Sequence, residues 1–214
     1  MNNITALLSA YAYVALVLAL GERIRTWRGY PVEFTRKVIH IGVGMWAVFT
    51  PLVFADAAWA VVPPLSFVVV NYLSLRLKIF KAMERDDGGL GTVYFPITFS
   101  LLVYLFWDMP AVFVGGIMVM TWGDALAAVV GRAWGRRKYV LLGATRSLEG
   151  SLTMFLVSFL AVAVTLLGFG VEGILVPALV TALAGTAVEA VSVGGTDNLT
   201  VPVVSALILW WLVG

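Results

Sequence analysis

The stretch TWGDALAAVVGRAWGRRKYVLLGATRSLEGSLTMF, residues 121–155, joins the ends of two apolar segments through a basic loop that contains glycine. In its first half, Ala127, Gly131 and Gly135 recur every four positions, so small residues line one helix face and allow another backbone to approach closely. Asp124 lies one turn before Ala127, near this face. A carboxylate inside a bilayer costs about 2.5–3.5 kcal/mol on insertion scales, so we expect Asp124 to serve pairing or function.

The composition of the chain is that of a membrane protein. Hydrophobic residues make up 61% of its 214 positions and charged residues only 12%, and the mean hydropathy is +0.98. These values exclude a soluble domain. No polar stretch is long enough to fold by itself, so we expect one membrane-embedded domain over residues 1–214. The chain has no cysteine, which excludes disulfides and thiolate chemistry.

The apolar runs predict an all-α bundle of about eight membrane-spanning helices, with seven as the alternative count. The expected spans are residues 4–20, 38–54, 57–75, 88–107, 111–130, 148–167, 174–191 and 199–213. We expect the pair Pro63 and Pro64 to kink or break the third span. Residues 76–87 place apolar side chains on one helical face and charged ones on the others, which predicts an amphipathic helix at the membrane interface.

The basic residues are segregated between the turns. All 14 Lys and Arg residues lie in the loops after spans one, three and five, whereas the turns after spans two, four and six hold only Asp56, Asp108 and Glu172. Because cytoplasmic loops are enriched in Lys and Arg, this pattern predicts a multi-pass protein with both termini on the non-cytoplasmic side. The polar groups expected to function then share the cytoplasmic face, where nucleotide is available.

The central stretch resembles the CTP-dependent polyprenol kinases, the family of dolichol, phytol and farnesol kinases, which are related to membrane phosphatidate cytidylyltransferases. The family pattern is GDA-x-A-x-x-x-G-x-x-x-G, a basic loop and K-S-x-E-G-S. The matching residues here are Gly123-Asp124-Ala125, Gly131, Gly135 and Arg146-Ser147-Leu148-Glu149-Gly150-Ser151. Arg146 departs from the pattern, which usually has Lys at this position, so the charge is kept but the geometry differs.

Three carboxylates are candidate metal ligands. Asp124 is our first choice for Mg²⁺, Glu149 is either a second ligand or a group that orients a basic residue, and the resemblance adds Glu189. We expect Asp124 and Glu149 to act in catalysis. The alternative is that each of these two only neutralises an Arg residue at the end of a span.

Cations, hydroxyls and glycine-rich backbone supply the groups that bind phosphate. The candidate nucleotide-binding residues are Arg36, Lys37, Gly89, Gly91, Thr92, Gly131, Gly135, Lys138, Arg146, Ser147, Asp197 and Asn198. The resemblance supports them, because related kinases have R-K-x-x-H in an early span, G-x-G-x-x-Y-F/Y-P, and in the phytol type D-N-L-T-V-P. The alternatives are basic loops set by topology, glycines that break helices, and Asx residues that cap the last helix.

The only histidine of the chain, His40, opens the second span. On a helix it shares a face with Arg36, four residues before it, and with Lys37, three residues before it. The resemblance places this run at the nucleotide. We therefore count His40 among the candidate catalytic residues, as a proton acceptor, with a hydrogen-bonded helix-packing role as the alternative.

The resemblance implies transfer of the γ-phosphoryl group of CTP, with Mg²⁺, to the hydroxyl of a membrane isoprenoid alcohol such as phytol, geranylgeraniol or a dolichol-like polyprenol. Such a transfer needs mostly positioning and charge neutralisation. The expected partners are nucleotide, alcohol and bilayer, and not nucleic acid. The alternatives are a CTP-dependent diacylglycerol kinase, a phosphatidate cytidylyltransferase and, from another class, a lipid transporter whose buried carboxylates relay protons.

Overall fold

A computed structural model describes residues 2–28, 30–77 and 89–214 of the chain. Within these ranges the chain forms eleven α-helices, one π-helical segment and one two-stranded hairpin. In chain order they are α1 (Asn3–Arg28), α2 (Val32–Gly44), α3 (Trp46–Val53), α4 (Ala57–Ala60), α5 (Val62–Leu77), α6 (Gly91–Leu105), α7 (Pro110–Met118), the π-helical segment (Val119–Asp124), α8 (Ala125–Trp134), β1 (Lys138–Leu141), β2 (Ala144–Ser147), α9 (Leu148–Gly168), α10 (Leu175–Val191) and α11 (Asp197–Val213).

Four helical stretches are long and apolar enough to cross a membrane, by length and composition. They are Asn3–Trp27, Ala57–Leu77, Pro110–Trp134 and Leu148–Gly168, and three shorter apolar helices, α6, α10 and α11, accompany them. The predicted all-α architecture is confirmed at this level, whereas the count of seven or eight spans stays a prediction. The predicted interfacial helix over residues 76–87 lies outside the described residues, except for its first two, which end α5.

The structure differs from two expectations for the first half of the chain. The basic loop predicted directly after residue 20 is wrong, because α1 continues to Arg28. An ion pair of Arg25 with Glu22, one turn apart, supports this extension. The second predicted span is also divided, since α2 ends at Gly44 and α3 begins at Trp46.

The break expected at the proline pair is confirmed. Helix α4 ends at Ala60, and α5 begins at Val62 with Pro63 and Pro64 in its first turn. Proline is tolerated there because the first backbone N–H groups of a helix have no acceptor within it.

The central buried element is the continuous helical stretch from α7 through the π-helical segment to α8. Every residue of α7 from Ala111 to Met118 is buried. The π-helical segment holds one residue more per turn than an α-helix, and it ends at Asp124. It packs mainly against α9, which passes alongside it. This arrangement places the first half of the 121–155 stretch in the core, whereas its second half contributes to a surface.

The predicted basic loop after the fifth span is wrong in part, because it contains the hairpin β1–β2. The strands are antiparallel, with Lys138 opposite Ser147 and Leu141 opposite Ala144. Leu142 and Gly143 connect them with φ angles of 48° and 86°, the pattern of a two-residue hairpin turn with both residues in the left-handed region. Leu is unusual at such a position, which is why the sequence did not suggest a hairpin.

The small-residue face of α8 packs against the start of α9, as predicted. A Cβ added at Gly131 would lie 3.1 Å from Ser147 Oγ and 3.5 Å from Gly150 Cα. A Cβ added at Gly150 would lie 3.2 Å from the Ala127 carbonyl oxygen. Gly135 ends α8, and a Cβ there would overlap the Gly131 carbonyl oxygen. Helix α8 and the start of α9, which carry the two halves of the motif, are therefore in close backbone contact.

Candidate active site

A charged cavity of about 310 Å³ lies between α2, α8, the hairpin and the adjoining ends of α9, α10 and α11. It brings together many of the predicted site residues, which are far apart in sequence. Those that line it are Arg36, Lys37, Asp124, Gly131, Lys138, Arg146, Ser147, Glu189 and Asp197. The cavity thus combines carboxylates with a larger number of cations, as a site for a phosphate ester and a metal requires.

Asp124 and Lys37 form a deeply buried pair of opposite charges in the cavity wall. Lys37 Nζ donates a hydrogen bond to Asp124 Oδ2, and each residue is 6% exposed. A charge this deeply buried needs a partner, because desolvation would otherwise disfavour it strongly. The alternative from the sequence paired Asp124 with an Arg, whereas its partner in the structure is Lys37. The pair ties α2 to the end of the π-helical segment.

A second ion-pair group joins α2 to α8. Arg36 Nη2 donates to Glu33 Oε1, and Arg132 Nη2 lies 3.8 Å from the same carboxylate. Neither Glu33 nor Arg132 is among the candidate site residues from the sequence, although Arg132 belongs to the basic group that follows Asp124. Glu33 and Arg36 are one helical turn apart, and this spacing could have suggested their pairing.

Arg146 connects the hairpin to the end of α10. Its Nε donates to Glu189 Oε1, while its Nη2 donates to the carbonyl oxygens of Glu189 at 3.2 Å and Ser192 at 2.9 Å. The planar guanidinium can reach these acceptors together, whereas the single ammonium of a Lys cannot reproduce the fork. Glu189, which has no basic residue after it in sequence, is thus paired with a cation from the hairpin.

Glu149 occupies a different place from Asp124. Both of its carboxylate oxygens lie 3.3 Å from the backbone nitrogen of Arg137, which donates to them. Ser147 caps α9 by accepting a hydrogen bond from the Gly150 N–H at 3.1 Å. Among the described residues that line the charged cavity, Glu149 is absent. Its arrangement supports the hairpin junction, and its role as a metal ligand stays a prediction.

The first residue of α11, Asp197, lines the cavity. Asp197 Oδ1 accepts hydrogen bonds from the backbone nitrogen of Asn198 at 2.9 Å and from its Nδ2 at 3.1 Å. Thr196 is the N-cap residue of α11, and it makes no side-chain capping bond. The alternative in which Asp197 or Asn198 caps the last helix is therefore not what the structure shows.

His40 lies in a smaller adjoining cavity of about 60 Å³. Its Nε2 is 3.1 Å from the Met120 carbonyl oxygen, and its ring centroid is 5.1 Å from that of Phe95. The predicted residues Arg36, Gly91, Thr92 and Asn198 also line this cavity. Gly89 and Gly135 line neither cavity within the described parts of the chain.

Asn71 was missed by sequence reasoning. It also lines the small cavity, and its Nδ2 donates to the Thr92 carbonyl oxygen at 2.7 Å. A side-chain amide within an otherwise apolar span is an available signal, because such groups are costly in a membrane unless they are satisfied.

The residues present can contribute to a metal site but do not form one alone. In the described ranges, no group of three or more His, Asp or Glu residues is arranged to hold a metal ion. Mg²⁺ is usually bound by one or two carboxylates together with substrate phosphates and water. The carboxylates at the charged cavity fit that pattern, provided that a nucleotide supplies the remaining ligands.

Comparisons with known proteins identify the family. The chain is 38% identical over 214 residues to a phytol kinase of Synechocystis sp., covering 94% of this chain and 88% of the relative. It is 31% identical over 224 residues to a probable chloroplastic phytol kinase 2 of Glycine max, covering 98% and 75%. It is 28% identical over 199 residues to a chloroplastic farnesol kinase of Arabidopsis thaliana, covering 82% and 62%.

No family model and no solved structure gives a significant match. The alignment with the Synechocystis protein nevertheless spans nearly the whole chain. The chain therefore belongs to the polyprenol kinase family that includes the phytol kinases, and it is a lipid kinase.

Proposed function

We propose that this chain transfers the γ-phosphoryl group of CTP, with Mg²⁺, to the hydroxyl of a membrane isoprenoid alcohol. The observation that carries the proposal is the buried Asp124–Lys37 pair in the wall of a cavity that also presents Arg36, Arg132 and Lys138. The names of the relatives, phytol kinase and farnesol kinase, support an isoprenoid alcohol as the acceptor. CTP as the donor is the expectation from the family resemblance.

The cavity residues have different roles in the proposed phosphoryl transfer. Mg²⁺ supplies charge neutralisation on the phosphate oxygens when it is bound with the nucleotide. Asp124 offers the anionic oxygen that such a cation prefers. Lys37 and Arg36, from the same helix, line the cavity and offer two cations to the phosphate oxygens.

The chemistry itself is a single displacement. The alcohol oxygen forms a bond to the γ-phosphorus as the bond between that phosphorus and the bridging oxygen breaks, and CDP leaves with the electron pair. The hydroxyl proton passes to a base. His40 is our candidate, because a ring that donates its Nε2 hydrogen to the Met120 carbonyl keeps Nδ1 as an acceptor.

The proposed reaction predicts where label from CTP will appear. With γ-labelled CTP, Mg²⁺ and phytol or geranylgeraniol, the label is expected in an isoprenyl monophosphate. With α-labelled CTP, it is expected in free CDP. Label from α-labelled CTP in the lipid, together with released pyrophosphate, would instead establish a cytidylyltransferase. Transfer to diacylglycerol but to no isoprenoid alcohol would establish the diacylglycerol kinase, and no transfer to any lipid would favour the transporter.

The proposed topology has eight spans, cytoplasmic basic loops and both termini on the opposite side. The natural chain lacks cysteine, so a single introduced cysteine is its only thiol. We expect a cysteine at position 137 to react with an impermeant maleimide only from the cytoplasmic side, and a cysteine at position 108 only from the other side. Labelling of both positions from one side contradicts this arrangement.

A further inference from the structure

Three cavities adjoin one another in a fixed order. The charged cavity and the small cavity share Arg36. The small cavity shares Val43, Asn71 and Phe95 with a third cavity of about 100 Å³. The shared residues place the three cavities side by side, and His40 and Asn71 line the middle one.

The third cavity is apolar and lies between α1, α2, α5 and α6. Its walls include Val14, Phe67 and Phe99, and Asn71 is the polar side chain among the residues that line it. From the charged cavity at Lys37, past Asn71, to the third cavity at Phe67, the lining thus changes from charged to almost entirely apolar. A molecule with one small polar end and one long apolar chain matches this change in polarity.

We propose that this apolar cavity, the acceptor groove, holds the first part of a single isoprenoid chain, with the alcohol hydroxyl in the small cavity beside His40 and Asn71. The proposal rests on the proposed function and names where the acceptor binds. In this position the hydroxyl lies beside His40, the proposed base, and Arg36 lines both this small cavity and the charged cavity.

The size of the groove determines which lipids it can accept. The small cavity and the acceptor groove measure about 60 and about 100 Å³, below the range of about 300–1,000 Å³ for pockets that enclose an entire ligand. They therefore enclose the hydroxyl end and the start of one chain, while the rest of the chain extends into the bilayer. This geometry favours a single-chain alcohol over diacylglycerol, whose two acyl chains diverge close to the hydroxyl.

One side of the groove is fixed and another meets the membrane. Next to the groove, Tyr11 joins α1 to α5 through a 3.0 Å hydrogen bond to Ser66 and a ring contact at 5.8 Å with Phe67, which lines the groove. Val70 lines the groove and is 40% exposed, so it forms part of the rim. The next residue toward the N-terminus, Val69, is 58% exposed and does not line the groove among the described residues.

The test combines a rim variant with a matched control. Val70→Trp is expected to fill the groove and lower kcat/KM for geranylgeraniol about tenfold or more, because poor fit of apolar groups in a pocket costs factors of this size. Thermal stabilisation by CTP should be unchanged, because the nucleotide is expected in the charged cavity. Val69→Trp, which adds the same side chain on the lipid-facing surface, should behave as the natural protein. Equal effects of the two variants would overturn the proposal.

A binding measurement tests occupancy of the groove separately from phosphate transfer. A geranylgeraniol analogue with a diazirine on its first isoprene unit, added to the full chain in detergent, should crosslink to Val14, Phe67 or Phe99, and Val70→Trp should reduce this crosslinking. Crosslinks confined to other helices, or displaced by excess phosphatidylcholine but not by geranylgeraniol, would overturn it. Groove crosslinks without any phosphate transfer would support the groove and overturn the proposed function.

Discussion

Asp124→Asn is expected to lower turnover about a hundredfold or more, a loss typical of removing a group that acts directly on the transferring charge. Asn matches Asp in shape but lacks the anionic oxygen that Mg²⁺ prefers. The variant also leaves Lys37 buried without its counter-ion, and breaking a buried ion pair in this way costs about 3–5 kcal/mol. The measurements are turnover against Mg²⁺ concentration and the thermal unfolding midpoint in detergent.

A double variant separates the two effects of this substitution. Lys37→Met combined with Asp124→Asn removes both buried charges, and replacing a whole buried pair with neutral side chains is often neutral or stabilising. We expect the unfolding midpoint to return toward that of the natural protein while turnover stays low. Recovery of turnover along with stability would show that Asp124 acts only in folding.

The matched control for Asp124 is another carboxylate of the chain. Asp108 is exposed and lies in the turn before α7. Asp108→Asn should leave turnover, Mg²⁺ dependence and the unfolding midpoint unchanged. A loss similar to that of Asp124→Asn would point to a general effect of removing negative charge from this basic chain.

Gly123→Ala is expected to destabilise the protein and to reduce turnover, although it adds a single methyl group. A Cβ at this position would overlap Ser158 Oγ and lie 2.8 Å from Met154 Sδ on α9. Adding a group to a well-packed core costs about 1–3 kcal/mol. Because Gly123 directly precedes Asp124, the shift needed to relieve this contact also moves the carboxylate. The unfolding midpoint and the Mg²⁺ dependence of turnover are the quantities to measure.

Two further variants test whether the effect of Gly123→Ala comes from its contact with α9. A Cβ at Gly168, at the end of α9, meets no atom within 4 Å, so Gly168→Ala should be neutral or slightly stabilising. Adding Ser158→Ala to Gly123→Ala removes the overlapping hydroxyl and should restore part of the lost stability. If the single Gly123→Ala variant is as stable and active as the natural protein, α9 does not constrain the position of Asp124.

Local signals in the sequence predicted much of the fold and of the site. The length of the apolar runs predicted a helical membrane bundle, and the proline pair predicted the break before α5. The four-residue spacing of Ala127, Gly131 and Gly135 predicted close contact with another backbone, which the start of α9 provides. The site residues that the motifs pointed to, from Arg36 to Asp197, mostly converge on one cavity.

Features that depend on distant partners could not be predicted in this way. Lys37 and Asp124 are 87 positions apart, and nothing in either local pattern indicates that they meet. The hairpin lacked its usual turn residues, since Leu142 takes a position where Asn or Asp is typical. Glu149 and Asp124 belong to the same sequence motif, yet Glu149 lies at the hairpin junction and Asp124 is buried in the cavity wall. This difference depends on how α9 packs, which the motif does not indicate.

The π-helical segment shifts the rotational phase of α8 relative to that of α7 within the helical stretch Pro110–Trp134. Each residue of an α-helix advances the side chains by about 100° around the axis, so one inserted residue turns everything after it by that angle. The helix before the insertion, α7, is buried on all sides, whereas α8 after it presents one stripe of small residues. A span of uniform α-helical phase would carry Asp124 about 100° away from Lys37, and the charged pair would lose its alignment.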